Sequence, residues 1–358
     1  MMRLVPRTET SLPWQIATPI LAVLATMITG GALFAIMGYD PVAAIRTIFW
    51  DPLFGPAAGY SRPQLLVKAA PLILIASGLA IGFRAGIWNI GAEGQYIIGG
   101  ITGAAVALAV YPAEGMWIFP AMVFAGALGG WAWGMIPAML RNWFGASEIL
   151  VSLMLVYVAQ KVAAWMAFGP MRNPEGFGMP GSRNLTQYPS AANPELIDGT
   201  GAHWGVVAAA IAVLATWFLF SRHIRGFHIR TAGLAPRAAR FAGVKPEALV
   251  AFCLGLSGAL AGMAGLFEVA GPAGQITDSL GSGYGFTAII VAFLGRLHPL
   301  GILLAGLLLA LTYIGGELAQ LTLQLPAATV QVFQGMLLFF LLGFDLLTRF
   351  RVERRVLA

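Results

Sequence analysis

Residues 221–250 read SRHIRGFHIRTAGLAPRAARFAGVKPEALV, and what flanks this stretch decides the fold. Arg222, Arg225, Arg230, Arg237, Arg240 and Lys245 follow one another with no acid before Glu247. On either side, 204–221 and 247–270 are apolar runs. About 20 apolar residues suffice for a helix to cross the hydrocarbon core of a bilayer. A basic block between two such runs is a loop joining transmembrane helices, and cytoplasmic loops are the ones that keep Lys and Arg.

Further runs of the same kind lie outward, at 17–38, 65–83, 87–110, 117–140 and 148–168 before the block and 284–295, 299–319 and 327–348 after it. The expectation is an all-α polytopic membrane bundle of about ten helices, with eight as the alternative count because 284–295 is short. Of the 358 residues 58% are hydrophobic and 10% charged, against about 25% charged in soluble domains. The net charge of +6 marks orientation rather than a nucleic-acid surface, because the basic residues cluster between the apolar runs and no folded basic domain is present. No small-residue cleavage site precedes the first run, which reads as a retained helix.

Threading ten spans gives the organisation: a cytoplasmic N-terminus (1–16), a first membrane half (17–221) with an external loop at 169–203, a cytoplasmic loop (222–246), a second membrane half (247–348) and a cytoplasmic tail (349–358). Arg3 and Arg7, the tail arginines Arg349, Arg351, Arg354 and Arg355, and Arg84, Arg141 and Arg296 then all fall inside. Ten spans also fit an inverted five-plus-five arrangement, although the basic loop itself follows the sixth span. Topology alone carries that expectation, because the halves share no evident sequence similarity.

Forty-five glycines point to close helix packing, since small residues let backbones approach within lipid. Gly255, Gly258, Gly262 and Gly265 share one helical face, and Gly99 and Gly103 repeat the spacing. The stretch GFRAGIWNIGAEGQ (82–95) carries Asn89 and Glu93 four residues apart among glycines that favour local unwinding. Asn89, Glu93 and Gln95, with Glu268 and Glu317 in later spans, are candidates for a translocation pathway, because polar groups in spans are functional candidates by default. Glu93 has a second reading, in which it bonds a neighbouring helix or caps a broken one. Lys68 and Lys161 read as snorkelling side chains.

Residues 271–285, GPAGQITDSLGSGYG, exclude a plain span and lead into the short run at 284–295. Such half-helices border transport pathways, so Gln275, Thr277, Asp278 and Ser282 are candidates for an outer gate or a docking surface. In the basic loop, Pro236 suits the first turn of a helix. A helix over 236–242 would present Arg237 and Arg240 between Gly233 and Gly243, as a site for another protein as well as for anionic lipid. The single cysteine, Cys253, allows no intrachain disulfide, no metal-ligand spacing occurs, and no P-loop motif is present among three lysines. An enzyme is not expected.

The stretches at 82–100 and 231–244 (TAGLAPRAARFAGV), with 315–342 near the end, resemble signature segments of bacterial ABC importer permeases for nucleosides, relatives of the ribose-type and branched-chain amino-acid permeases. The resemblance implies a transport subunit of the bacterial inner membrane with no ATPase of its own and no cofactor bound by this chain. ATP and magnesium would be used by a partner ATPase seated on 231–244, through Gly233, Pro236, Arg237, Arg240 and Gly243. A second permease chain of different sequence and an external solute-binding protein would complete the complex. Simple sugars or branched-chain amino acids are the neighbouring substrate classes. An ion-coupled secondary transporter using Glu93 and Glu268, or a scaffold without transport, are readings of other kinds.

Overall fold

The computed structural model describes residues 2–6, 12–176, 180–281 and 283–354. It is a helical membrane protein with one small strand pair, β1 (Met2–Pro6) antiparallel to β2 (Phe350–Arg354). Among the described residues eight helices are long and apolar enough to cross a bilayer. Two shorter apolar helices accompany them, at Tyr284–Leu294 and Ala327–Leu341. By contact the chain forms two compact units, 1–62 with 310–358 and 63–309.

In the first unit α1 (Leu12–Ile36) pairs with α14 (Ala327–Arg349). Phe34 stacks on Phe333 with ring centroids 5.9 Å apart. Gly30 makes this possible, because a side chain there would strike the Phe333 ring. Two short helices follow α1: α2 (Pro41–Phe49) and α3 (Asp51–Phe54). Asp40 starts α2 by accepting the N–H groups of Val42 at 2.8 Å and Ala43 at 3.3 Å, with Pro41 in the first turn. This is the preferred chemistry of a helix start.

The second unit is built on α5 (Ala92–Val110), α6 (Ile118–Phe144) and α11 (Pro246–Val269). Their backbones touch. A Cβ on Gly262 would lie within 3 Å of Gly126 and Gly130, one on Gly130 equally close to Gly258 and Gly262, and one on Gly99 against the Gly262 backbone. Gly265 meets the Tyr96 carbonyl in the same way. The glycine face expected at 255–265 is therefore the seam of a three-helix packing, as small residues allow within lipid. Gly255 differs from its neighbours in facing the Trp131 side chain.

α4 (Ala58–Arg84) is deeply buried along its apolar length. α7 (Glu148–Phe168) follows a left-handed Gly145, φ +65°, that ends α6. An Arg141–Glu148 ion pair closes that corner. α8 (Trp204–Arg222), α9 (Ile224–Leu234) and α10 (Pro236–Phe241) lead to α11; α12 (Tyr284–Leu294) and α13 (Pro299–Leu323) follow it. α5 begins at Ala92 rather than 87, because residues 85–91 form an irregular turn with Gly86 at φ +72°.

Candidate functional site

Within the turn at 85–91, Gly86 and Trp88 are exposed, while the polar side chain, Asn89, is buried and hydrogen-bonded. Asn89 accepts the Gly91 N–H at 3.0 Å, and its amide donates to Gln95 Oε1 at 2.8 Å and to Ser257 Oγ of α11 at 3.0 Å. Ser152 of α7 accepts the Ile90 N–H at 3.2 Å. A side chain on Gly91 would run into the Ser152 backbone, so glycine is required there. Buried backbone groups outside regular structure need such partners.

Glu93 stands one residue into α5, 1% exposed. It reaches across to the start of α12, accepting the Gly283 N–H at 2.8 Å and the Gly285 N–H at 2.5 Å. The first N–H groups of a helix have no partner within it, and the helix dipole favours negative charge at that end. One carboxylate satisfies both needs of the 11-residue α12. Gly285 packs directly against the Ala92–Glu93 backbone, where a Cβ would overlap it. Of the two readings of Glu93, the geometry places the carboxylate on a short helix as its cap. Asn89 and Gln95 are thus bonded to each other against α11, whereas Glu93, equally buried, turns to α12.

Glu268, near the far end of α11, is half-buried, and Lys68 of α4 is an opposite charge that acts on it. No hydrogen bond among the described residues links it to Glu93. Glu317 lies exposed on α13 in the other unit.

The 169–203 segment is tied to the chain that follows α11. Ser182 donates its N–H to the Ile276 carbonyl at 3.0 Å and accepts the Ile276 N–H on its hydroxyl at 2.9 Å. Leu185 N–H bonds the Gly274 carbonyl at 2.7 Å, and Asn193 N–H the Ala270 carbonyl at 2.7 Å. Gln275 is half-buried beside Gly181, Thr277 bonds Ser279 at 3.1 Å, and Asp278 is exposed. Ser282 lies outside the described residues. His203, the residue before α8, accepts the Gly205 N–H on Nδ1 at 3.0 Å. Burial pushes its pKa down from 6.5 to about 4, against the opposing pull of Glu195.

At the opposite end of α11 the basic segment folds as two short helices, α9 and α10, with Pro236 opening the second. Arg237 and Arg240 are exposed, and Gly243 ends the turn at φ +81°. Leu234 and Phe241 stand 82% and 93% exposed beside them. Gly233 lies against the Arg84 carbonyl, leaving no room for a side chain. The surface is thus apolar and basic together, and it touches the α4–α5 turn.

Comparison with known proteins bears on this arrangement. Residues 62–342 match the family described as branched-chain amino acid transport system / permease component. The chain belongs to that permease family. It is similar to a glucose ABC transporter permease protein of Haloferax volcanii, 34% identical over 346 residues, covering 94% of this chain and 89% of that one. It is also similar to a guanosine ABC transporter permease protein of Bacillus subtilis, 27% identical over 331 residues and covering 90% and 91%. A nucleoside ABC transporter permease protein of Lactococcus lactis is 27% identical over 337 residues, with 91% and 90% covered. No solved structure matches the chain.

The permease is therefore a multi-pass transport subunit of the sugar and nucleoside kind of ABC system, one that works with an ATPase and a solute-binding protein. An ion-coupled secondary transporter finds no support in these matches. Sequence reasoning overlooked two parts of this permease. The amphipathic α9 lacks a long apolar run to signal it, and nothing local signals that the charge of Lys68 acts on Glu268.

Proposed function

We propose that the chain is the membrane subunit of a nucleoside importer, coupled to a separate ATPase through α10. The observation that carries this reading is the surface of Leu234, Phe241, Arg237 and Arg240. Two large apolar side chains stand almost fully exposed beside two cations on a six-residue helix. An exposed apolar patch with a charged rim is what a protein partner covers. Gly233 and the Arg84 carbonyl then connect the docked helix to the turn at 85–91, so that movement of the motor reaches Asn89 and Glu93. Under the positive-inside expectation this surface, both termini and the 349–358 tail face the cytoplasm, and the 169–203 segment faces outward.

The likeness of 82–100 to nucleoside permeases, together with the guanosine and nucleoside relatives, supports the substrate class. A second reading, a simple sugar, is favoured by the glucose permease relative.

Reconstitution with candidate ATPase and binding proteins tests the reading. ATP-dependent uptake of labelled guanosine is expected, and Arg237→Glu with Arg240→Glu should abolish it while the protein still inserts. Uptake of glucose alone would select the second reading, and uptake driven by a proton gradient without ATP would remove both. Orientation is read from Ala238→Cys. The native Cys253 is buried, so a membrane-impermeant thiol reagent outside intact cells should leave this variant unlabelled. Labelling there would overturn the topology.

A further inference from the structure

Between the 169–203 segment, the start of α4 and the chain just after α11 lies a cavity of about 460 Å³ that the proposed mechanism does not use. Gln64, Asn193, Glu195, Asp198, His203 and Gly271 are among the residues that line it. Two of these hold buried polar atoms with no hydrogen-bond partner among the described residues: Asn193 Oδ1 and His203 Nε2. The residues themselves are 7% and 4% exposed.

The hydrogen bonds fix what each atom is. The Asn193 amide nitrogen donates to the Phe267 carbonyl at 3.2 Å, so Oδ1 is the atom left over, and it can only accept. His203 Nδ1 accepts the Gly205 N–H, so in the neutral ring Nε2 carries the hydrogen and can only donate. Burial keeps that ring neutral near pH 7. The two side chains flank Gly271. A Cβ there would lie 3.5 Å from His203 Cδ2 and 3.6 Å from Asn193 Cβ, so its absence leaves the space between them open. Farther out, Glu195 and Asp198 supply exposed carboxylates. Glu195 spends one oxygen on the Gly199 N–H at 2.7 Å.

A buried donor beside a buried acceptor asks for a group that does both. A cation would meet the His203 N–H unfavourably, and an anion would meet Asn193 Oδ1 and two carboxylates. A hydroxyl fits: it accepts from His203 and donates to Asn193, while a neighbouring hydroxyl donates to a carboxylate. The volume lies in the range of small-molecule sites, about 300–1,000 Å³. We infer that this cavity is a subsite for the vicinal diol of a sugar ring, free or as the ribose of a nucleoside. The inference rests on the uptake reading above and adds where solute meets the permease on the outward face.

The test uses the full chain in lipid nanodiscs, with labelled guanosine, D-glucose and 2′,3′-dideoxyguanosine measured by equilibrium dialysis. A ligand bearing the diol should bind, and loss of the diol should weaken binding by about tenfold or more, since a site built for hydroxyls leaves buried groups unpaired without them. Asn193→Leu should weaken it similarly. Asp198→Asn, at an exposed position, should also reduce it. Which of guanosine and glucose binds names the source of the diol. Equal binding of guanosine and its dideoxy analogue, no binding of either guanosine or glucose, or binding indifferent to both substitutions would overturn the site and leave the cavity to water. ATP-driven uptake that persists without any such binding would sink the subsite and spare the importer reading. Binding without uptake would do the reverse.

Discussion

Replacing Glu93 by Gln keeps the size of the side chain and removes half of its accepting capacity at the start of α12. The carboxylate now receives two backbone N–H groups, from Gly283 and Gly285. Hydrogen bonds to a charged group contribute about 1.5–3 kcal/mol each, and a buried donor left unmet costs about 1–3 kcal/mol. Glutamine has one carbonyl oxygen for one of these donors and turns an NH₂ toward the other. The charge that complemented the helix dipole is also lost, worth a few tenths to about 2 kcal/mol. Partial relaxation brings the expected cost at the first turn of α12 to about 2–3 kcal/mol, or about 30- to 150-fold in local opening. Hydrogen exchange of the full chain in nanodiscs reads this opening at the amides of Gly283, Gly285 and Phe286. Those amides should exchange faster by that factor, with the α5–α6–α11 seam unchanged. Rates within threefold of the parent, in a protein that still folds, would refute the capping role. Uniform acceleration everywhere would show that the substitution acts on global stability instead.

Gly262→Leu should destabilise the chain by about 3 kcal/mol or more, at or above the upper end for overpacked interiors, because its Cβ has no room against Gly126 and Gly130. Thermal unfolding in detergent checks this against Gly335→Ala, where nothing among the described residues lies within 4 Å and a gain of about 0.5–1 kcal/mol follows from helix propensity. The His203 pKa is lower in the fold, about 4, than the ordinary 6.5. Its contribution is therefore fully present above pH 6.5 and lost as pH falls toward 4, by at most about 3 kcal/mol. Unfolding midpoints at pH 7.5, 5.5 and 4.5 should fall more steeply in the parent than in His203→Gln, and parallel profiles would contradict the assignment. Asp40→Ala removes the cap of α2 and should cost about 1 kcal/mol, visible as faster exchange over 42–45.

The long helices were legible because each leaves an uninterrupted apolar run, and their ends fall within a few residues of the runs at 148–168, 204–221 and 247–270. α10 was legible for a different reason: Pro236 can open a helix but not continue one. The start of α5 was not, because Ile87, Trp88 and Ile90 are apolar enough to extend a run although the backbone turns there. α2 and α9 are short and amphipathic, so a search for apolar length passes over them. Glu93 stood out as a polar residue in a span, yet its partners lie 190 and 192 residues away. The Asn193–His203 pair was less legible still: both look like ordinary loop residues until Phe267 and Gly205 take one atom of each.

The backbone contacts among Gly99, Gly126, Gly130, Gly258 and Gly262 limit how the protein can work. Helices held apart by long side chains can slide as rotamers rearrange, but peptide groups in direct contact have nothing to rearrange. α5, α6 and α11 must therefore travel as one block through a transport cycle. Whatever swings has to be jointed at the rim of that block, where one side chain of α5 holds the first turn of an 11-residue helix.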